Sequence, residues 1–351
     1  MRKIAIALVV LLLAAGFAGA QTPPSFDDYE NTIQSFADGV ASSLPLNSAV
    51  GLTWSDAYIG GFPHLGVGAA VGFSTIPWSS ISPITDALGL TDAITSSEAF
   101  GYIQEFGAPL PAYDVEARLG GLILPFDVGV KFGTIPEGVD TAELLPGGIQ
   151  FDYLLAGANA RLRLIEENML LPEVSVGGGY NRLDASIRLP SLIGENIQIT
   201  SFTDPRDDAT YDIELSDPSL EYFWSANVFD FQVQASKNIL LFTPYAGAGA
   251  SLGVGQAGGG LYSDLITTPN IDDSEWAAIN EALAATGQDT LPEFNEDGTG
   301  FSVTADMPAG WGFRVFGGVS LNLLLLKVDV SAMYDLIGQN YGVTLGTRIQ
   351  L

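Results

Sequence analysis

From Asn47 to the last residue, apolar and polar positions alternate with a period of two, in pieces. The end of the chain shows it best. Tyr341, Val343, Leu345, Thr347, Ile349 and Leu351 alternate there with Gly342, Thr344, Gly346, Arg348 and Gln350. The stretch before puts Leu326, Val328, Val330, Ala332, Tyr334 and Leu336 on one face and Lys327, Asp329, Ser331, Met333 and Asp335 on the other. Trp311, Phe313, Val315, Val319 and Leu321 form the apolar side of the next one back. The same period predicts strands near 47–56, 63–75, 112–121, 125–135, 149–165, 171–189, 220–236 and 240–255, making eleven in all. Parity slips near Arg182 and near Val228, as a β-bulge would cause. Upstream, Phe26, Tyr29, Ile33, Phe36, Val40 and Leu44 recur at helical spacing, with Ser25 as N-cap and Asp27 and Asp28 in the first turn.

Long strands with one aliphatic and one ionic face need two different solvents. In a soluble sandwich the apolar faces would meet each other; in a membrane barrel they meet lipid, and the polar faces line a lumen. The connections favour the barrel. Short ones near 57–62, 122–124, 166–170, 237–239 and 323–325 alternate with long ones at 76–111, 136–148, 190–219 and 256–310, and only the last, near 337–340, is short where a long one is due. The strands are long enough to cross a bilayer at a tilt. Aromatics at predicted strand ends (Trp54, Phe62, Phe73, Trp78, Tyr222, Trp224, Trp311, Tyr341) suit membrane interfaces. The expected fold is therefore all-β: a transmembrane antiparallel barrel of about 12 strands, within a range of 10–14. Eleven visible strands clash with the even count of bacterial barrels. Either the helical region threads the lumen as a plug, or one strand is miscounted.

Composition narrows the reading. The chain has 351 residues, 41 Asp and Glu against 13 Lys and Arg, one His and no Cys. A net charge of −28 argues against nucleic acid as a partner. The absence of Cys removes disulfides, thiol chemistry and Cys-bound metals, and no cofactor is implied. Residues 1–20 read as a cleaved secretory signal: Arg2 and Lys3, an apolar run from Ile4 to Ala15, then Ala18-Gly19-Ala20. The expected organisation is a signal peptide over 1–20, a helical segment and lumen plug over 21–46, and a barrel over 47–351. Over roughly 45–351 the chain resembles the bacterial outer-membrane β-barrel proteins. Residues 341–351, ending in Leu351 where an aromatic is usual, look like the strand by which that group is recognised for assembly. The resemblance implies the outer membrane of a diderm bacterium, with lipid and the barrel-assembly machinery as partners. A plug followed by a barrel looks, in outline, like the porins and fatty-acid transporters of that membrane.

The long loops carry most of the carboxylates and a single base, Arg206, so an acidic extracellular rim is expected to concentrate cations. The strands keep most of the other bases. Asp114, Glu116, Arg118, Asp127, Lys131, Arg161, Arg163, Asp230, Arg314, Lys327, Asp329 and Arg348 should face the lumen, with Asp152, Glu173 and Asp184 as further inward carboxylates, pairing if it is narrow and standing in water if it is wide. Asn295 and Asp297, and separately Asp207 and Asp208, offer oxygen ligands for weak calcium binding or make ordinary acidic turns. Ser274 as N-cap, with Trp276, Ile279 and Leu283 on one face, predicts a helix within 256–310 that folds into the pore or packs on its own loop. His64 reads as an interface histidine rather than a hydrolase base, and no catalytic constellation is visible. Two functions remain: a channel or transporter for passive passage of small solutes, favouring cations, or a structural or adhesive surface barrel with a closed lumen.

Overall fold

The computed structural model describes residues 26–50, 57–87, 100–121, 125–136, 138–144, 148–190, 197–271, 273–286 and 300–351. Helix α1 (Phe26–Asn47) precedes β1 (His64–Ile76), α2 (Trp78–Ala87), α3 (Phe100–Phe106), β2 (Ala108–Gly120), β3 (Phe126–Thr134), α4 (Thr141–Leu144), β4 (Gln150–Ile165) and β5 (Glu173–Leu189). Then come β6 (Ile197–Thr203), β7 (Thr210–Ser236), β8 (Phe242–Thr268), α5 (Asp273–Thr286), β9 (Gly300–Leu323), β10 (Leu326–Asp335) and β11 (Tyr341–Gln350).

All the strand pairs are antiparallel, β1 pairs with β11, and β5 pairs with β7. The sheet therefore closes on ten strands, with β6 attached only to the outer part of β7. An even count results because the expected strand at 47–56 is absent where it is described. Asn47 closes α1, residues 48–50 make a turn, and 51–56 lie outside the described residues. The barrel wall accordingly begins at His64 and not at Asn47.

Register fixes the dimensions. Partners followed once around the wall run from Asn322 through Lys327, Arg348, Gly68, Glu116, Lys131, Gly157, Asn181, Val228 and Gly253 to Gly310. The path returns to β9 12 residues from its start. Ten strands with that stagger tilt by about 40° and enclose a backbone cylinder of roughly 10 Å radius. An α-helix with its side chains is about 10–12 Å across, so one helix nearly fills such a cylinder.

Strands β7 and β8 have 27 residues each and β9 has 24. At that tilt 27 residues rise roughly 70 Å, far more than the ~25 Å apolar band of a membrane barrel, so the upper halves stand clear as a crown. Much of what reads as loop at 190–219 and 256–310 is thus extended sheet. The helix expected within 256–310 is α5. Its Ile279 and Leu283 are buried against Ile213 of β7, with Phe202, Ile271 and Trp276 around them. It packs on the crown strand β7.

The two apparent parity slips are no bulges. β5 and β7 pair without interruption from Glu173↔Ser236 to Leu189↔Leu220. Along β7 every even residue from Tyr222 to Ser236 is buried, but Tyr222, Trp224, Ala226 and Val228 are apolar while Asp230, Gln232, Gln234 and Ser236 are polar. Outside, Val174 and Val176 of β5 give way above Tyr180 to Arg182, bonded to Asp184, and Arg188, bonded to Glu221. The wall turns inside out where it leaves the membrane, and the sequence shows this as a shift of phase. Tyr180 marks the level, donating its hydroxyl to Asn227 at 2.5 Å and packing on Phe229 with ring centroids 5.3 Å apart. Tyr222 and Trp224, expected at the membrane interface, are instead buried inside; Trp54 lies outside the described residues.

Candidate functional site in the barrel lumen

The upper lumen holds α1. Ala37, Val40, Ala41, Leu44 and Leu46 are buried in one cluster with Leu110 and Ala112 of β2, Leu155 of β4, Leu183 of β5, Trp224 and Ala226 of β7 and Met333 of β10. Phe36 lies on Tyr222, with ring centroids 4.2 Å apart. Small residues let the helix approach: a Cβ on Gly39 would overlap the side chain of Ser80 on α2. Polar side chains tie α1 to the wall. Ser43 Oγ donates to the Thr75 carbonyl at 2.8 Å, and Asn47 Nδ2 to the Leu110 carbonyl at 2.9 Å.

Below the helix the charges meet. Lys131, on β3, donates its ammonium to the carbonyls of Ser48 at 2.5 Å and Val50 at 2.7 Å. A helix leaves its last carbonyls unpaired and carries partial negative charge at that end. α1 has no basic residue in its last turn, so the wall supplies the cation. Asp114 and Glu116 contribute the negative field around it.

Further down, Asp127 is fully buried. It accepts from Arg118 Nη1 at 2.5 Å and from Arg161 Nη2 at 2.6 Å, while His64 Nε2 lies at 3.6 Å. Arg118 also donates to Asn159 Oδ1 at 2.6 Å. Across the barrel Arg314 pairs with Asp230, with its Nη2 2.9 Å from Oδ1, and Ser251 joins them. Arg348 pairs with Asp329 and donates to Gln350 at 3.0 Å. At the lower mouth the chain between α1 and β1 is tethered: Ala57 N donates to Ser236 Oγ at 2.9 Å, and Arg163 Nη1 to the Ile59 carbonyl at 3.0 Å. In such buried pairs mutual attraction and hydrogen bonds offset the cost of desolvation, so removing one partner leaves an uncompensated buried charge and costs far more than the pair contributes.

Twelve of the side chains expected at the lumen sit on inward positions. Asp127 is joined with Arg118 and Arg161, Asp230 with Arg314, and Asp329 with Arg348, while Lys131 goes to the helix end; Lys327 is only half-buried. Sequence reasoning missed three contributors, Asn159, Gln232 and Ser251, while Glu173, read as an inward carboxylate, is buried. Asn159 and Gln232 share inward parity with Arg161 and Asp230 on their own strands, which is the signal that finds them, whereas Ser251 has no charged neighbour near it on β8. His64, read as an interface residue, is buried in the lumen beside Asp127, and Gly60 N donates to its Nδ1 at 3.3 Å. Asp207 and Asp208 are exposed in the β6–β7 turn, where Asp207 accepts from Ala209 N at 3.0 Å, while Asn295 and Asp297 lie outside the described residues. In the same turn Asp204 accepts from Arg206 Nε at 2.8 Å, and the guanidinium holds its carboxyl below the usual carboxylate range. Among the described residues no helix is long and apolar enough to span a membrane.

No family model matches the chain, and neither does any curated protein. Among solved structures it is similar to the outer membrane protease OmpT from Escherichia coli (TM-score 0.40, 8% identity, 84% of this chain and 99% of that one). It is also similar to the translocator domain of the autotransporter NalP from Neisseria meningitidis (TM-score 0.36, 10% identity, 91% and 99%). A FadL homologue from Pseudomonas aeruginosa aligns at TM-score 0.24 and 7% identity, over 96% and 99%. The chain's own geometry supplies the argument: a sheet closed on ten strands, aliphatic towards the outside of its lower half and ionic within. This protein is a closed, ten-stranded antiparallel β-barrel of transmembrane type.

Proposed function

We propose that the barrel is a gated passage for small solutes, with α1 and the chain that follows it as the plug and an acidic crown that favours cations. One observation carries the reading. The upper lumen is filled by a separate length of chain, packed in the bore and hydrogen-bonded to the wall only through a few side chains. The crown's carboxylates raise the local cation concentration at the outer mouth. Residues 341–351 form the seam with β1 and offer the segment that the assembly machinery would engage. Planar-bilayer recording of purified protein tests the passage. Rare cation-selective steps that become frequent when Lys131 is replaced by Met support it; silence of both proteins overturns it.

A specific observation favours the second reading, a structural or adhesive surface barrel: the lumen is sealed twice, by apolar packing above and by ion pairs below. Neither reading assigns catalysis. The single His lies in the lower lumen, far from the crown, and is engaged by Asp127 and Gly60.

A further inference from the structure

The short turns carry apolar tips. Between β4 and β5 stand Met169, 94% exposed, and Leu170, 87% exposed. Leu240, between β7 and β8, is 96% exposed, and Leu324, between β9 and β10, is 98% exposed. Leu171, Ile239, Leu241 and Leu325 flank them, all exposed. The remaining short turn at this end of the barrel reads Leu122-Ile123-Leu124 and lies outside the described residues. Turns in water use Gly, Asn and Asp, above all where φ is positive. Leu240 and Leu324 occupy the left-handed region, at φ 55° and 58°, where a leucine carries strain that Gly or Asn would avoid.

The backbone at these tips is satisfied from within. Asn168 Oδ1 accepts from Leu170 N at 2.9 Å and Leu171 N at 3.0 Å, and Ile239 and Phe242 exchange backbone bonds of 2.7 and 2.9 Å. Lys237 reaches across to the carbonyls of Asn168 and Leu171 and pairs with Glu167 at 3.5 Å. Most polar atoms of these turns thus pair with one another, the exposed Glu166 reaching only to 3.9 Å from Arg163, and aliphatic side chains point outward, continuous with the exposed Leu162, Leu164, Phe242, Leu326 and Ile349 at the foot of the wall.

The height of the wall fits the same occupant. Tyr334 and Tyr341 pack together on the upper rim, with ring centroids 5.0 Å apart, eight residue steps above Leu326 and Ile349. At the tilt above, that is about 20 Å, short of the ~25 Å apolar band of membrane barrels, and a turn tip adds roughly the missing 5 Å.

We propose that the short turns are immersed in the inner leaflet of the outer membrane, so that the lipid-facing surface wraps around the lower rim of the barrel. The occupant is acyl chain, not a second copy or a soluble protein. The cysteine-free sequence makes the test direct. Leu170→Cys, Leu240→Cys and Leu324→Cys, with Asp207→Cys in the crown as the aqueous reference, each take an environment-sensitive dye. The labelled proteins are folded into phosphatidylcholine vesicles with or without brominated acyl chains, and heat-modifiable migration on gels confirms the fold. Blue-shifted emission from the three turn positions, quenched by brominated lipid and not by aqueous iodide, is the expected result. Iodide quenching at the turns, as at position 207, overturns the proposal, because the tips then stand in water and are free for a protein partner. Loss of quenching by both agents overturns it equally, because another copy then covers the tips.

Discussion

Replacing Lys131 with Met isolates the grip of the wall on α1. The methionine keeps most of the stem's volume but removes the ammonium, leaving the buried Ser48 and Val50 carbonyls without the donor they have at 2.5 and 2.7 Å. Each orphaned buried acceptor costs about 1–3 kcal/mol, and losing the cation at a helix C-terminus about 0.3–1 kcal/mol more. Relief from desolvating the ammonium returns part of this, and the loss of a partner for the Asp114 and Glu116 field takes part of it back. A net of about 3 kcal/mol is the working figure, which raises the equilibrium for local opening roughly 10²-fold. Amide hydrogen exchange reads it directly. Amides of 37–50 should exchange about a hundredfold faster in the variant, while those of β10 and β11 keep their protection. If the helix amides stay within about threefold of the parent, the ammonium contributes nothing to plug retention, and the account of the helix end given above is wrong.

Asp127→Ala should be the most damaging single change in the lower lumen. It leaves Arg118 and Arg161 buried beside each other, and a loss of about 3–5 kcal/mol in urea-induced unfolding from detergent is expected; an unchanged midpoint would refute the pairing. Gly39→Ala should lower stability by about 1–3 kcal/mol through overpacking against Ser80, seen as a lower melting temperature on heat-modifiability gels. The turn holding Asp204 should respond to acid. Its carboxyl titrates lower in the folded crown than in the open chain, where about 3.9 is ordinary. The contribution is therefore complete above pH ~4 and lost as pH falls through the depressed value. Protease susceptibility of 203–209 should rise only at the acid end, and Asp204→Asn should abolish that pH dependence.

The period of two exposed the barrel, because a wall between lipid and lumen writes its two solvents into alternate residues. β10 and β11 show it cleanly: both lie almost wholly within the membrane and meet one solvent on each face. Where β5 and β7 rise out of the bilayer both faces change partner at once, and a phase rule that assumes constant surroundings reads a bulge. Most of the charges facing the lumen were legible from parity, although Asp152 and Asp184, also read as inward, lie on the outer face. Which of the lumen charges meet was not, because contacts such as Asp230 with Arg314 depend on the shear of the sheet. Asn47 misled for a local reason: a helix that runs through Pro45 and is followed by Ser48, Ala49 and Val50 looks, over a short window, like the start of a strand.

The course of the N-terminal segment constrains how the molecule is put together. It runs from α2 at the outer end, past Lys131, to Ser236 and Glu173 at the lower mouth. A cord lying along the bore of a cylinder is either drawn through a finished hole or wrapped as the hole is made. The seam between β1 and β11 is where wrapping would finish, and both of its edges lie next to the cord's anchorage, through Thr75 to Ser43 and Asn340 to Ser42. Zipping that seam shut fastens the cord in place, so an assembly intermediate with the seam open should already hold its cargo.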